Sequence, residues 1–148
     1  MEERSRLQVD LVRRFSAAVP HNHALGIRVL EIVPTQALFE LPYDTRFVGN
    51  PDTGVLHGGV ITALLDGASG AAVFATITEM APIATLDLRI DYLRPAEVGQ
   101  TVRARATCYK TTRNVAFTRA VAYHEDPEDP IAHAVGTFML STNPGNAK

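Results

Sequence analysis

The segment between Val60 and Thr78 constrains the fold of this 148-residue chain more than any other part of it. It is rich in alanine and carries a single charged side chain, Asp66. A run of this length is typical of a helix rather than a strand, and its apolar residues lie nearly all round the helix, which predicts burial on most faces. A carboxylate near the centre of a bilayer costs about 2.5–3.5 kcal/mol, so we predict a buried core helix and not a membrane span.

One further helix and six strands are predicted around this segment. Apolar residues at helical spacing over residues 4–19 predict an amphipathic helix that ends before Pro20, and residues 21–26 are predicted to be a connector. The prolines and glycines of residues 42–56 predict an irregular loop. The six runs with strand character are Ile27–Val33, Gln36–Leu41, Ala84–Leu93, Thr101–Lys110, Val115–His124 and Ile131–Leu140. Short connections favour an antiparallel sheet, and hence an α+β domain in which a curved sheet of about six strands wraps around the long helix.

The strand predicted over Ala84–Leu93 has the cleanest alternation of the six. Its apolar members, on one face, are Ala84, Leu86, Leu88, Ile90 and Tyr92, and its polar members, on the other, are Thr85, Asp87, Arg89 and Asp91. This period of two predicts that the first face packs on the core, while the second face meets water or a polar partner.

Composition limits the classes of protein to which the chain can belong. Hydrophobic residues make up 46% and charged residues 20% of the chain, which indicates one globular domain over residues 1–148. A net charge of −2 argues against binding to nucleic acid, which favours a basic surface. The single cysteine, Cys108, excludes an intrachain disulfide and a multi-cysteine zinc site, and it favours a reducing, cytoplasmic location. The first residues lack an apolar run, so no signal peptide is predicted.

The residues that carry chemistry are concentrated between Asn50 and Asp66. Gly58 and Gly59 open the long helix, whose first N–H groups have no partner within the helix and lie at the positive end of its dipole. Glycine there lets a ligand atom approach the backbone, so the position suits a carbonyl oxygen or an oxyanion. Asp66 is the only ionisable group of the helix, which makes it a candidate base or nucleophile.

The spacing of Gly59 and Asp66 leaves two interpretations. Seven helical residues separate them, a rise of about 10 Å, whereas attack on a carbonyl needs about 3–3.5 Å between the reacting atoms. Either the two features are unrelated, or one site combines Gly59 of one chain with Asp66 of another. The second interpretation predicts an obligate homodimer with active sites at its interface.

Several motifs together resemble the hotdog-fold acyl-CoA thioesterases, and most closely their phenylacetic-acid-degradation type. They are His57-Gly58-Gly59, Asp66 nine residues after His57, Thr85–Ala96 followed by Gly99, Leu25-Gly26-Ile27, and Gly136-Thr137-Phe138. The resemblance covers residues 23–140 and implies a hotdog fold, in which an antiparallel sheet wraps around one long helix. It also implies a homodimer paired edge to edge, with active sites between its subunits, and a homotetramer built from two such dimers.

By position, the resemblance assigns roles to five residues. The Gly59 N–H polarises the thioester carbonyl, and His57 binds or orients that carbonyl or orders the loop. Asp66 from the second chain acts as general base on water, or as nucleophile through an anhydride, and Thr85 holds the water. Asn50 departs from the family pattern, since it stands one residue further from His57 than usual. A one-residue insertion in the loop still allows Asn50 to reach the site.

The implied substrate is the thioester of a small, medium or aromatic acyl group with coenzyme A, which is hydrolysed to the free acid and CoA. The resemblance implies no metal and no separate cofactor, because CoA is part of the substrate. The phosphates of CoA favour basic side chains near the mouth of the site. Arg94, Lys110 and Arg113 stand at predicted strand ends and are the candidate contacts.

Two other functions fit the same fold. A hotdog hydratase or dehydratase also acts on acyl-CoA or acyl-carrier protein, but it needs an acid–base pair near the acyl α and β carbons, and the spacing of His57 and Asp66 resembles the thioesterases more. A non-catalytic acyl-CoA-binding protein is disfavoured because the glycine pair and Asp66 are intact. Spectroscopic loss of an enoyl double bond would support the hydratase or dehydratase. Tight binding of acyl-CoA without turnover would support the binding protein.

Overall fold

A computed structural model describes residues 2–140 of the chain. Its three helices are α1 (Glu2–Ala18), α2 (Pro20–Leu25) and α3 (Gly58–Phe74). Its eight strands are β1 (Arg28–Val33), β2 (Gln36–Leu41), β3 (Val48–Asn50), β4 (Val55–Leu56), β5 (Ile83–Tyr92), β6 (Val102–Thr111), β7 (Val115–Tyr123) and β8 (Ala132–Leu140). The domain predicted over residues 1–148 includes Met1 and residues 141–148, which lie outside the described residues.

Six strands form one antiparallel sheet in the order β1-β2-β6-β7-β8-β5. α3 packs on one face of this sheet, against β2, β5, β6, β7 and β8. The predicted α+β class, with about six antiparallel strands on one long helix, is therefore confirmed. The loop over residues 42–56 is more ordered than predicted, since it contains a 3-10 turn at Thr45–Phe47 and a small hairpin of β3 and β4.

Alanines on the inner face of the sheet let α3 approach it closely. The buried alanines of β2, β6, β7 and β8 are Ala37, Ala104, Ala106, Ala116, Ala120, Ala122, Ala132 and Ala134. Larger side chains that fill the layer between helix and sheet include Phe39, Leu64, Leu65 and Phe138. This close packing of small against large residues accommodates a helix that is apolar on nearly every side.

The prediction of a connector over residues 21–26 is wrong, because Pro20–Leu25 forms the short helix α2. Proline suits the first turn of a helix, since its fixed φ is helical and its missing N–H would have no partner there. Pro20 therefore follows the end of α1 and starts α2. Gly26 then ends α2 with a φ of 73°, a left-handed conformation that glycine adopts without strain.

α3 ends at Phe74, whereas the sequence predicts a helix as far as Thr78. The residues beyond Phe74 are largely β-branched and fit a helix less well. The Gln8 side chain of α1 donates hydrogen bonds to the backbone carbonyls of Phe74, the last residue of α3, and of Ile77, which lies beyond the helix. None of the helices that the structure describes is long and apolar enough to cross a membrane.

The alternation predicted for Ala84–Leu93 is wrong at its start, because β5 contains a β-bulge. Thr85 and Asp87 pair with successive residues of β8, so Leu86 between them has no partner. A bulge of this kind shifts the side-chain alternation by one residue. Thr85 consequently shares the helix-facing side with Leu88 instead of the outer side with Asp87, and Leu86 is 52% exposed.

Gly136 of β8 is expected to be intolerant of a larger residue. A Cβ atom there would lie 2.8 Å from Thr118 Oγ1, 3.2 Å from Phe138 and 3.3 Å from Leu88. Because these neighbours are packed together, Gly136→Ala should lower the free energy of unfolding by about 1–3 kcal/mol in urea denaturation. Thr137→Ala, on the opposite face, is the control and should change it by about 0.5 kcal/mol or less. Wild-type stability of Gly136→Ala would contradict this packing.

Candidate active site

Asp66 of α3 lies beside Thr85 of β5. The Thr85 hydroxyl donates a hydrogen bond of 2.9 Å to Asp66 Oδ1. This bond orients the carboxylate, and Oδ2 has no donor among the residues that the structure describes. Thr85 reaches Asp66 because the bulge in β5 turns its side chain toward α3. The structure therefore brings two of the predicted site residues into direct contact.

Asp66 lines a cleft of about 260 Å³, which we term the carboxylate cleft. Its lining residues include Asp66 and Gly70 from α3, Ile83 and Thr85 from β5, and Phe15 and His21 from the N-terminal helices. A cleft that combines apolar walls with a few polar groups suits a small-molecule ligand. The sequence analysis did not identify the N-terminal helices as part of a site, because their position over α3 depends on the tertiary fold.

His57 is the N-cap residue of α3. Its Nδ1 atom accepts a hydrogen bond of 2.8 Å from the Gly59 N–H. An accepting Nδ1 carries no proton, so the neutral ring carries its proton on Nε2. The helix start thus has two N–H donors, the Nε2–H of His57 and the backbone N–H of Gly59. The Gly59 N–H is already bonded to His57 Nδ1. For Gly59 to donate to a substrate carbonyl, the imidazole must rotate away or share that N–H.

Gly49 of β3 packs directly against the backbone of His57. A Cβ atom at Gly49 would lie 2.9 Å from His57 Cα, so only glycine allows this close approach. The His57 N–H also donates to the Phe47 carbonyl at 2.8 Å. Gly49 could not be predicted as part of the site, because the contact of two loop segments leaves no local pattern in the sequence.

Tyr92 joins the end of β5 to the start of α3. Its hydroxyl donates to the Gly58 carbonyl oxygen at 2.7 Å and lies 2.6 Å from Thr62 Oγ1. β5 therefore contacts α3 twice, at the helix start through Tyr92 and at Asp66 through Thr85. One strand thus positions both parts of the candidate site.

A second cleft, of about 390 Å³, opens at the start of α3, and we term it the helix-start cleft. His57, Gly59 and Arg46 are among its lining residues, and His21 and Ala63 line both clefts. The two clefts therefore adjoin along α3, and we refer to them together as the groove. The sequence analysis named neither His21 nor Arg46 as a site residue, since no motif distinguishes them from other exposed polar residues.

Arg46 is hydrogen-bonded to Asp44 beside the helix-start cleft. Its Nη2 and Nε atoms donate to Asp44 Oδ2 at 2.7 and 2.9 Å. The side-chain hydrogen bond from Arg46 lowers the pKa of the Asp44 carboxyl, and the same bond raises the pKa of the Arg46 guanidinium. Both groups are therefore charged at neutral pH, and this wall of the cleft carries a paired cation.

Asn50 lies in the turn between β3 and β4. Its Oδ1 atom accepts a hydrogen bond of 3.0 Å from the Asp52 N–H, and its carbonyl accepts one of 2.8 Å from the Gly54 N–H. The first bond is that of an Asx turn, and Asn50 lines neither the carboxylate cleft nor the helix-start cleft. Its role in the active site stays a prediction.

The three basic residues predicted to contact CoA lie apart from the groove. The Arg94 guanidinium donates to the Asp129 carbonyl at 3.1 Å and to its carboxylate at 3.3 Å. Lys110 and Arg113 are exposed around the β6–β7 turn, at the end of the sheet where β5 begins. The contact of Tyr92 with the start of α3 lies at the opposite end of β5. None of the three lines either cleft, and their contact with CoA stays a prediction.

The two sets of candidate groups lie at the two ends of the groove. Between Gly59 and Asp66 the helix rises about 10 Å, which is beyond the reach of direct attack. The donors at the helix start can polarise a carbonyl, and Asp66 can take a proton from water or attack a carbonyl itself. The arrangement suits acyl transfer to water if the two sets come from different chains.

Sequence comparison agrees with this chemistry. A family model described as the thioesterase superfamily matches residues 53–131, more than half of the chain. The chain is also 32% identical over 135 residues to the medium/long-chain acyl-CoA thioesterase YigI of Escherichia coli, a match that covers 82% of this chain and 86% of that protein.

Two solved structures share the fold. A crystal structure of a Pseudomonas aeruginosa protein is 42% identical, with a TM-score of 0.81 over 90% of this chain and 99% of that one. A mutant of the phenylacetic acid degradation protein PaaI from Thermus thermophilus is 28% identical, with a TM-score of 0.73 over 83% of this chain and 100% of that one. These matches confirm the resemblance to hotdog-fold thioesterases. The chain belongs to the thioesterase superfamily and is a thioester hydrolase.

Proposed function

We propose that this chain hydrolyses the thioester of a medium-chain acyl-CoA to the free acid and CoA. The observation that carries the proposal is the Thr85–Asp66 hydrogen bond in the carboxylate cleft, at one end of a groove whose other end is the start of α3. The name of YigI, a medium/long-chain acyl-CoA thioesterase, supports both CoA and this chain length. The reaction needs no separate cofactor, because CoA is part of the substrate.

The proposed reaction transfers the acyl group to water. Asp66 takes a proton from a water molecule held near Thr85, while the water oxygen attacks the carbonyl carbon and the carbonyl electron pair moves to its oxygen. The His57 Nε2–H stabilises this oxyanion, and so does the Gly59 N–H when it is shared between the oxyanion and His57 Nδ1. The C–S bond then breaks, and the CoA thiolate takes the proton from Asp66.

A nucleophilic route uses the same residues in another order. Asp66 attacks the carbonyl carbon, the CoA thiolate leaves, and water cleaves the resulting anhydride. Single turnover in heavy-oxygen water, followed by mass spectrometry of the protein, tests for the nucleophilic route. Label in the Asp66 carboxylate indicates the anhydride, because the general-base route forms no bond to that carboxylate.

We propose in addition that each active site combines Asp66 of one chain with the helix start of another. β5 supports this, since it is an edge strand of ten residues that pairs with β8 on one side only. Exposed edges of this kind pair readily with a second copy. Antiparallel pairing of two β5 strands would place the Thr85 end of one beside the Tyr92 end of the other. Because Thr85 contacts Asp66 and Tyr92 contacts Gly58, the two half-sites would then meet.

Removal of the Asp66 carboxylate is expected to abolish most turnover. Asp66→Asn should lower kcat by about 100- to 10,000-fold, since it removes the base or nucleophile. Thiol release from acyl-CoAs, followed with a chromogenic thiol reagent, measures this. Asp87→Asn is the control. Asp87 lies on the outer side of β5, away from Asp66, so this variant should keep wild-type turnover. A folded Asp66→Asn variant with near-normal kcat would exclude Asp66 from the reaction.

Mixing two impaired variants tests whether the site is shared between chains. In a mixed dimer of Asp66→Asn and His57→Ala chains, one site carries both changes and the other carries neither. Full subunit exchange should therefore restore about a quarter of wild-type activity. The double variant mixed with wild type is the control, because each site of that mixed dimer carries one change and gains nothing. No recovery after verified exchange would place both groups of a site in one chain.

Two substitutions of His57 separate its capping role from its catalytic role. Asparagine caps helices well and alanine does not, so His57→Ala should lower the free energy of unfolding by about 1 kcal/mol while His57→Asn preserves it. Both remove the Nε2–H donor, so both should lower kcat/KM by about tenfold or more. Chemical denaturation and thiol release measure the two effects. Full activity of His57→Asn would show that the imidazole acts only as a cap.

Other expectations from the sequence remain proposals. They are the roles of Asn50 in the site and of Arg94, Lys110 and Arg113 in binding CoA, the homotetramer, and the cytoplasmic location. Light scattering of the purified protein measures the number of subunits.

A further inference from the structure

A third cleft lies beyond the carboxylate cleft, at the C-terminal end of α3, and we term it the distal cleft. It has a volume of about 450 Å³, and its lining residues are Phe15, Phe74, Met80, Ala81, Pro82 and Ile83. All six are apolar. Phe15, Phe74 and Ile83 also line the carboxylate cleft, so the two clefts share a boundary.

This boundary is an aromatic pair between two helices. Phe15 of α1 and Phe74 of α3 meet edge to face, with ring centroids 5.4 Å apart and an interplanar angle of 69°. α1 is held there by Val12, which is fully buried, and by Gln8, which donates to the Phe74 carbonyl at 3.1 Å. Phe15 itself is 50% exposed, so its ring borders the clefts rather than filling the core.

A path along one face of α3 leads from Asp66 to this pair. Asp66, Gly70 and Phe74 are spaced by four residues, and the helix rises about 12 Å between the first and the last. A Cβ atom at Gly70 would meet Phe138 at 3.8 Å and Ile83 at 3.9 Å, which are ordinary contact distances. The packing of the protein therefore does not require glycine there, and its missing side chain widens the path.

The two directions from Asp66 along α3 differ in chemistry. Toward the N-terminus, the groove leads to His21, Arg46 and His57. Toward the C-terminus, it leads past the Phe15–Phe74 pair into a cleft with only apolar lining residues. An acyl chain is apolar along its length, and each buried methylene favours binding by about fourfold. The acyl chain of a thioester at Asp66 is therefore best accommodated toward the C-terminus.

We infer that the distal cleft holds the ω end of a straight-chain acyl group, and that the Phe15–Phe74 pair determines which chains reach it. This inference rests on the proposed function and specifies its substrate as straight chains long enough to pass the pair. Short and aromatic acyl groups end before the pair and occupy the carboxylate cleft alone. Phe15 is thus a specificity-determining residue that the N-terminal helix supplies.

A charge placed in the distal cleft tests the inference. Met80→Glu should lower kcat/KM for dodecanoyl-CoA by about tenfold or more, because a charge disfavours an apolar ligand beside it, while kcat/KM for butanoyl-CoA stays unchanged. Met139→Glu is the matched control, since Met139 is similarly exposed and lies outside the clefts. It should leave both substrates unaffected. An equal loss for both substrates in Met80→Glu would overturn the inference.

Removal of one ring of the Phe15–Phe74 pair is expected to raise, not lower, kcat/KM for long acyl chains. Phe15→Ala should raise kcat/KM for hexadecanoyl-CoA relative to octanoyl-CoA, because the two clefts then merge. A purely structural role of Phe15 would lower kcat/KM for every chain length by the same factor, and that result would overturn its role in specificity.

Failure of the inference and failure of the proposed function give different results. If thiol is released but wild type and Met80→Glu have the same chain-length profile, the inference fails and the proposed function stands. If no acyl-CoA releases thiol, the proposed function fails, and calorimetric titration with a non-hydrolysable thioether analogue of decanoyl-CoA tests the cleft alone. Weaker binding to Met80→Glu than to Met139→Glu supports the distal cleft as the tail site, and equal binding overturns it.

Discussion

Burial of α3 against the alanine-lined face of the sheet is the interaction on which the rest of the structure depends. Short side chains on four strands let the helix lie close to the sheet, and a few large ones, Phe39 and Phe138 among them, fill the remaining space. The helix is thereby held with one face at the edge of the sheet, beside β5. That face carries Gly59, Ala63 and Asp66, so the burial of the other faces is what presents these groups to a ligand.

β5 completes the candidate site through its two contacts with α3. Its bulge turns Thr85 onto Asp66, and its last residue, Tyr92, binds the first turn of α3. A regular strand would place Thr85 on the outer side, where it could not orient the carboxylate. β5 is also an edge strand, so the element that organises both half-sites is the one available to a second chain. Catalytic geometry and subunit pairing would then depend on the same ten residues.

The start of α3 is capped before any substrate arrives. His57 Nδ1 accepts the hydrogen bond of the Gly59 N–H, and Gly49 packs directly against the His57 backbone. A thioester carbonyl would therefore compete with the imidazole for this donor or bind to the Nε2–H of the same ring. The cap stabilises the free protein, and a substrate carbonyl that takes the Gly59 N–H must displace the imidazole from it or share it.

The sequence by itself determined the N-terminal helix, the long helix and the six strands of the main sheet, the α+β class, the family, and the identity of Asp66, His57, Gly59 and Thr85 as candidate site residues. Periodicity and turn residues act locally, so the six strands and the buried helix could be predicted from them. Only the tertiary structure decided the bulge that turns Thr85 inward, the contact of Gly49 with His57, and the position of the N-terminal helices over α3. Each of these depends on segments far apart in the chain, whose mutual approach leaves no periodic pattern in the sequence.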